Sequence, residues 1–341
     1  MQNKVRSGKV AGRSMKKWVV ILMSVFIVIV LGVAGYAAYI YQSVKMTAHQ
    51  IYESRDAGTV PETAGKDSHL STAAAAPGKD NAGKSETAAA GAEPFSLDKK
   101  KPFTVLVLGV DQREHDRGRS DAMIFLTVNP AKQSILMFNI PRDTRTDIIG
   151  HGTVDKINHA YAFGGVNMSV KTVEHFLDYP VNYYVRVNME GFAHIIDSLG
   201  GVEVENPFAF YYEGHQFNQG HLKLNGEEAL LYSRMRYDDP RGDMGRNSRQ
   251  RQILQELIRN TMKVVNVVKI ESLLDEVGDS VKTDLTFDDM KTFLTDYRAD
   301  IKSIEQVEIS GRGERIKGIW YYLVGDNERS RVHKLIQEHM Q

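Results

Sequence analysis

Three apolar runs follow one another after residue 102: FTVLVLGV (103–110), AMIFLTVN (122–129) and SILMFNI (134–140). Their apolar residues are continuous rather than alternating, which predicts strands of a sheet covered on both faces. The spacing then turns helical and predicts helices over 156–163, 166–177 and 191–199. A strand, NYYVRVN (182–188), separates the last two, and GGVEVEN (200–206) is extended. Asn225, with Glu228 three residues on, predicts a capping box that opens a helix ending near Tyr232. Another helix runs from Asn247 beyond Met262, apolar at Ile253, Leu254, Leu257 and Ile258. Amphipathic stretches near 271–279, 287–301 and 327–340 and a strand near 306–310 complete the pattern. Strands alternating with helices make this an α/β layered domain of roughly 240 residues, placed at 99–341.

Upstream the pattern is different. Trp18–Tyr41 (WVVILMSVFIVIVLGVAGYAAYIY) carries no charge. As a helix of 1.5 Å per residue it is about 36 Å long, enough to cross a hydrocarbon core of about 30 Å. The preceding 1–17 hold Lys4, Arg6, Lys9, Arg13, Lys16 and Lys17 and no acid. The positive-inside rule makes them a cytoplasmic tail and 18–41 a single-pass signal anchor, with the rest of the chain outside. The run is too long for the apolar core of a cleaved signal peptide. Residues 42–98 follow as a linker, polar and helical to 55 and then rich in Ala, Gly, Ser and Thr, which predicts a largely disordered tether.

Of the 341 residues none is cysteine, in keeping with an exported domain that does not rely on disulfides. A formal net charge of zero argues against a nucleic-acid binder. Charge is nevertheless concentrated. Tyr232–Arg251 (YSRMRYDDPRGDMGRNSRQR) holds Arg234, Arg236, Arg241, Arg246, Arg249 and Arg251 without a lysine. Arginine alone points to bidentate recognition of phosphate or carboxylate oxygens. In an extended segment Arg234 and Arg236 point the same way. Arg246 and Gln250 share a face at the start of the next helix, where free N–H groups also favour an anion. Arg249 and Arg251 fall elsewhere on that helix and read as solvated, and Arg241 lies in a turn over 238–243; none of the three is expected to face the anion. Three further polar clusters sit where the strands end: Asp111 after the first, Arg119 and Asp121 before the second, Arg142 and Asp143 after the third. Strand ends of covered sheets are where ligands bind. Asp111 and Asp121 bracket one loop, and their oxygens suit a hard divalent cation such as Mg²⁺, or Mn²⁺. The alternative for each aspartate taken singly is a turn or cap residue.

The ordered motifs LGVDQR, RSDAM, PRDT, KINHAYAFGG, DSLGGVEVEN, LNGEEALLYSRMR and GDMGRNSRQRQIL resemble the LytR-CpsA-Psr family across 103–260. The resemblance implies a three-layer α-β-α domain with a central mixed sheet and an apolar pocket for a lipid tail. It also implies a membrane-anchored, extracytoplasmic phosphotransferase of a Gram-positive-type envelope. Such an enzyme moves an anionic glycopolymer, teichoic acid or capsular polysaccharide, from a polyprenyl-pyrophosphate carrier onto peptidoglycan. Carried over by position, the metal-site acids are Asp111 and Asp121. The pyrophosphate residues are Arg119, Arg142, Arg234, Arg236 and Arg246, with Gln250 as a polar contact. Asp111, Asp121, Arg119, Arg142 and Arg236 are the catalytic set, and Asp143 is expected to orient Arg142. Candidate lipid-facing residues lie on the helices holding Val173, Phe176 and Leu177, and Phe192, Ile195, Ile196 and Leu199. Two other activities share the donor site: hydrolysis of the same lipid pyrophosphate, and non-enzymatic binding of wall polymer.

Overall fold

The computed structural model describes residues 31–32, 34–55, 97, 100–111, 118–263, 277–278 and 280–341. A six-stranded mixed sheet organises them. Its centre is made by the three predicted apolar runs, β1 (Phe103–Val110), β2 (Ser120–Asn129) and β3 (Ser134–Asn139), paired antiparallel in sequence order. β6 (Tyr183–Asn188) lies parallel to β1, and β11 (Val281–Thr283) antiparallel to β6. β12 (Ser303–Val307), a few residues earlier than expected, lies parallel to β3. Successive residues of one strand face opposite ways, and both faces are covered. Leu106, Leu108, Met123, Phe125 and Phe138 pack under α2 (His159–Leu177) and α7 (Asp326–Met340). Val105, Val107, Ile124, Leu126 and Val128 face the other layer. That layer includes α3 (Met189–Leu199) and α5 (Asp243–Lys263). Continuous apolarity is thus the sum of two interleaved core faces.

α2 carries a break where two helices were expected. Gly164 and Gly165 leave helical geometry, Gly165 at φ +64°. Only glycine takes that conformation at little cost, so the predicted gap between 163 and 166 is a kink. The helix begins later than expected because Thr153–Lys156 forms β5, paired with β4 (Arg145–Ile148). α4 (Gly226–Arg234) has the expected capping box: Glu228 N–H donates to Asn225 Oδ1 at 2.9 Å, and Asn225 N–H donates to Glu228 Oε2 at 3.0 Å. β7 (Val202–Asn206) and β10 (Gly220–Leu224) enclose a small hairpin, β8 (Phe210–Tyr212) with β9 (His215–Phe217). Toward the carboxyl end, the stretch expected as one helix over 287–301 is a short helix, α6 (Phe287–Thr292), and a π-helical turn, Phe293–Tyr297. β13 (Arg312–Ile316) and β14 (Ile319–Leu323) form a hairpin. The expected helix near 271–279 lies almost wholly outside the described residues.

Residues 42–55, expected within the linker, belong to the folded body. They continue a helix, α1 (34–51), and then run along the sheet edge, where Tyr52 bridges Thr283 and Glu53 N–H donates to Thr283 O at 2.8 Å. Ala48 and Ile51 are buried. Much of the predicted span 18–41 and most of 56–98 lie outside the described residues. Among the described residues no helix is long and apolar enough to cross a membrane.

Candidate active site

β1 and β3 end, and β2 begins, at the same edge of the sheet, since Val110 pairs with Ser120 and Asn139 with Ile124. The β1–β2 ladder slips there: Gly109 pairs with Ala122 and Val110 with Ser120, which leaves Asp121 unpaired. Such a bulge re-aims one side chain, and bulges are common beside active sites. Asp121 is turned onto Arg142, whose Nη1 lies 2.8 Å from its Oδ1. Asn158 Nδ2 donates to the same oxygen at 3.3 Å. Asp111 follows directly on β1, across the end of the ladder from Asp121.

The opposite wall comes from the arginine-rich stretch. Asp243, the first residue of α5, is its hub: Oδ1 lies 2.7 Å from Arg246 Nη2, 3.9 Å from Arg236 Nε and 4.0 Å from Arg142 Nε. Three guanidiniums, Arg142, Arg236 and Arg246, therefore meet two carboxylates, Asp121 and Asp243. The balance leaves Arg246 under-compensated. Its burial first, and then Arg142 and Arg236, push its pKa below the ordinary arginine value despite Asp243 and Asp121. For Arg142 burial acts the same way, but Asp121, Asp243 and Asp143 outweigh it and raise the pKa. Buried polar atoms are normally satisfied. Here Arg142 Nε, Arg246 Nε and Nη2, Asn158 Oδ1, Asp243 Oδ1 and Asn247 Nδ2 all lack a hydrogen-bond partner among the described residues. The short Arg246–Asp243 contact is thus an ion pair without hydrogen-bond alignment. Orphaned donors gathered around buried arginines are what an oxyanion ligand would satisfy.

Below this polar edge lies an apolar cavity of about 550 Å³. It runs between the Val105/Ile124 face of the sheet and the helices α3 and α5, closed on a third side by Leu285, Met290, Phe293 and Leu294. Its polar end is marked by Gly109, Ala122, Ser233 and Gln250. A Cβ on Gly109 would come within 2.9 Å of the Ala122 side chain, so glycine keeps the sheet open there. Gln250 stands one helical turn after Arg246 and accepts from Asn139 Nδ2 at 3.2 Å, linking cavity and anion site. Of the residues expected to face a lipid, Phe192 and Ile195 line the cavity. Val173, Phe176 and Leu177 instead fill the core under the other face, and Ile196 and Leu199 pack in a separate cluster behind α3. Sequence periodicity does not say which face of a sheet a helix covers.

Other expectations are corrected too. α4 runs to Arg234 because Met235 N–H closes on Leu231 O and Met235 is buried. Arg234 and Arg236 therefore do not share an extended segment; Arg236 reaches Asp243 while Arg234 is exposed at the helix end. Arg119 is exposed just before β2. Arg249 and Arg251, expected as solvated, are buried at 1% and 3% exposure. Arg249 donates to Asp239 Oδ2 at 2.5 Å, to Tyr232 O at 2.9 Å and to Met235 O, which pins the loop between α4 and α5. Arg251 spans to Asn139 Oδ1 at 3.0 Å and Glu308 Oε1 at 2.7 Å. Asp143 pairs with Lys156 Nζ at 2.7 Å rather than with Arg142. Sequence reading missed Asp243, taken as part of a turn, and Asn158. An acid at the first turn of an arginine-rich helix was the available signal for Asp243.

For a divalent cation the donors fit. Asp111, directly after β1, and Asp121 bring hard oxygens to the same end of the sheet, and Asn158 Oδ1 is an orphaned oxygen beside Asp121. Mg²⁺ typically needs only one or two carboxylates, completing its shell with water and substrate phosphate, so the lack of any acidic or histidine triplet among the described residues is no obstacle.

The LytR_cpsA_psr family model covers residues 66–338. This chain belongs to that family. Its relatives include the polyisoprenyl-teichoic acid–peptidoglycan teichoic acid transferase TagU of Halalkalibacterium halodurans, 43% identical over 329 residues, which span 96% of this chain and 99% of that one. TagU of Bacillus subtilis is 41% identical over 320 residues, 94% and 95% of the two chains. Among solved structures, B. subtilis TagU superposes with a TM-score of 0.59 at 46% identity, covering 71% of this chain and 98% of that one. TagT bound to LIIa-WTA superposes with a TM-score of 0.61 at 31% identity, covering 71% and 91%. The mixed α/β sheet is thus the family's own scaffold.

Proposed function

We propose that this LytR_cpsA_psr protein transfers a teichoic-acid-type anionic glycopolymer from a polyprenyl-pyrophosphate carrier to peptidoglycan, outside a membrane to which residues 18–41 anchor it. The observation that carries the reading is the junction of the orphaned guanidiniums with the apolar cavity. A lipid pyrophosphate needs both at one place, and the TagU relatives are named for this transfer. The polyprenyl chain fills the cavity past Gln250, and its pyrophosphate meets Arg142, Arg236 and Arg246. Arg119 and Arg234, exposed at the rim, contact the polymer-side phosphate.

In the reaction a peptidoglycan hydroxyl attacks the phosphorus that bears the polymer. The new P–O bond gives a phosphodiester, the bond to the bridging oxygen breaks, and the carrier leaves as its monophosphate. Phosphoryl transfer asks mainly for in-line positioning and charge neutralisation, which is what three fixed guanidiniums supply. The hydroxyl proton passes to a site carboxylate. Asp121, with 38% of its side chain exposed against 22% for Asp243, is the more open to an acceptor. Asp111 and Asp121 would hold the Mg²⁺ (or Mn²⁺) ion, which when bound neutralises charge building on the phosphates. Asn158 and Arg142 fix Asp121, and Asp243 holds the guanidiniums in register between turnovers.

The test is to incubate the full chain with a polyprenyl-pyrophosphate saccharide, peptidoglycan oligomers and Mg²⁺. A saccharide–peptidoglycan conjugate is expected. Free phosphorylated saccharide without conjugate would instead make the protein a hydrolase. Absent turnover, with saccharide binding undiminished by Asp121→Ala, would make it a polymer-binding module.

A further inference from the structure

The segment joining the apolar run to the domain is not placed as a tether. It is docked. α1 continues unbroken from 34 to 51, through Tyr41, the last residue of the apolar run. Ten residues separate Tyr41 from buried Ile51, about 15 Å of helix. Beyond it the chain is locked to the sheet edge by charge as well as by backbone. Arg55 Nε pairs with Asp284 Oδ2 at 2.5 Å and Nη1 donates to Val181 O at 2.9 Å. Glu53 Oε2 pairs with Arg186 Nη2 at 3.0 Å, and Tyr184 Oη donates to Glu53 O at 2.7 Å. Lys282 Nζ donates to Gln50 O at 2.9 Å. All of this precedes residues 56–96 in the chain, so their length cannot set how far the domain stands from an anchor at 18–41.

The docked helix also meets the cavity wall. Tyr41 packs edge-on against Phe287, ring centroids 5.6 Å apart at 82°. Phe287 opens α6, and one turn on Met290, then Phe293 and Leu294, line the cavity. Leu294 is also 50% exposed, which marks that side as the cavity's lip. Tyr36, Tyr39 and Tyr41 stand exposed on α1, and such amphipathic rings favour the headgroup level of a bilayer.

We propose that residues 34–55 are a rigid stem that holds the Met290–Leu294 lip of the cavity against the bilayer surface, so that a membrane-embedded polyprenyl chain passes sideways into the cavity. The proposal rests on the membrane-anchor reading above. The stem thereby selects long-chain, membrane-resident donors over soluble ones without touching the reacting atoms.

Because the chain has no cysteine, a single probe is clean. Thr295→Cys, exposed beside Leu294, is labelled with a fluorophore, and the full chain is reconstituted into lipid nanodiscs containing nitroxide-labelled lipid. Strong quenching is expected. Inserting a flexible Gly-Ser segment between Lys45 and Met46 leaves the docking contacts of Ala48–Arg55 in place but uncouples them from the anchor. Quenching then falls, and transfer from an embedded long-chain donor drops about 100-fold, the scale on which misplacement acts. Transfer from a short-chain, water-soluble donor stays unchanged. An unquenched label in the intact chain, an insertion without effect on quenching or on long-chain transfer, or an equal loss with both donors would overturn the stem. Failure of the intact chain to enter nanodiscs would overturn the anchor itself. Absence of turnover with either donor would sink the transferase reading, and the quenching arm would still decide the stem.

Discussion

At the scale of single residues, the site depends on the shape of guanidinium rather than on positive charge alone. Arg236 reaches Asp243 at 3.9 Å and also lies over the ring of Tyr237, 5.5 Å from its centroid. A lysine ammonium is a point charge that cannot make the parallel pair of bonds a phosphate accepts from a fork. Arg236→Lys is therefore expected to lower kcat/KM for transfer about 100-fold, near 2.7 kcal/mol, the size of one lost oxyanion contact. Steady-state conjugate formation measures it, and near-normal turnover would make Arg236 structural. The legibility of the sequence is uneven at this scale. The purity of the arginine stretch was visible, but not which arginines do what. Arg249 and Arg246 are equally basic on paper; one is consumed by Asp239 and two backbone carbonyls, the other keeps orphaned donors. That difference is set by long-range contacts that spacing does not encode. Asp243 was missed although its contact with Arg246 is local, three residues on, because it was read as part of a turn.

At the scale of elements, legibility was best where the determinant was local. The three apolar runs, the glycine break at 164–165 and the Asn225–Glu228 box each depend on residues within a few positions. The docking of 42–55 depends on partners far along the chain and was not foreseen; the β13–β14 hairpin, closed locally by Lys317 and Gly318 at positive φ, was not foreseen either. α5 shows how an element positions the site. Its first turn packs so closely on Asp239 that a Cβ at Gly245 would lie 1.8 Å from Asp239 Oδ2. Alanine would add up to about 1 kcal/mol of helix propensity. It would also displace Asp239 from buried Arg249, and breaking such a pair costs about 3–5 kcal/mol. The second effect wins, so Gly245→Ala is expected to lower stability by about 2 kcal/mol or more in urea unfolding. Transfer should fall with it, since Arg246 and Asp243 share that turn. A stability gain would show that Asp239 relaxes freely.

At the scale of the whole molecule, the carboxyl-terminal helix is stitched to the sheet by one buried histidine. His339 Nδ1 lies 2.6 Å from Thr127 Oγ1 and Nε2 2.8 Å from Ser134 Oγ, while Asn129 Nδ2 donates to its backbone carbonyl at 2.6 Å. Burial lowers its pKa, with Lys132 adding to the effect and Glu305 opposing it. The folded value thus lies below the unfolded one, near 6.5. As pH falls through about 6.5 the unfolded chain takes up a proton that the folded chain refuses, and stability declines by at most about 1.4 kcal/mol per pH unit. Above that pH the histidine contributes no slope. Urea midpoints at pH 7.5 and 5.5 should show the decline in wild type and a smaller one in His339→Gln; equal declines would assign it to other groups. The sheet that ends in the Asp121 bulge also carries the cavity and, at its far edge, the docked stem.

The proposed reaction is defined by which bond breaks at that edge. Phosphorus NMR of a complete reaction resolves it, because the phosphodiester conjugate and the carrier monophosphate give separate signals. Equal amounts of the two are expected with the wild-type chain and neither with Arg246→Lys. Release of unphosphorylated saccharide together with intact carrier pyrophosphate would contradict it.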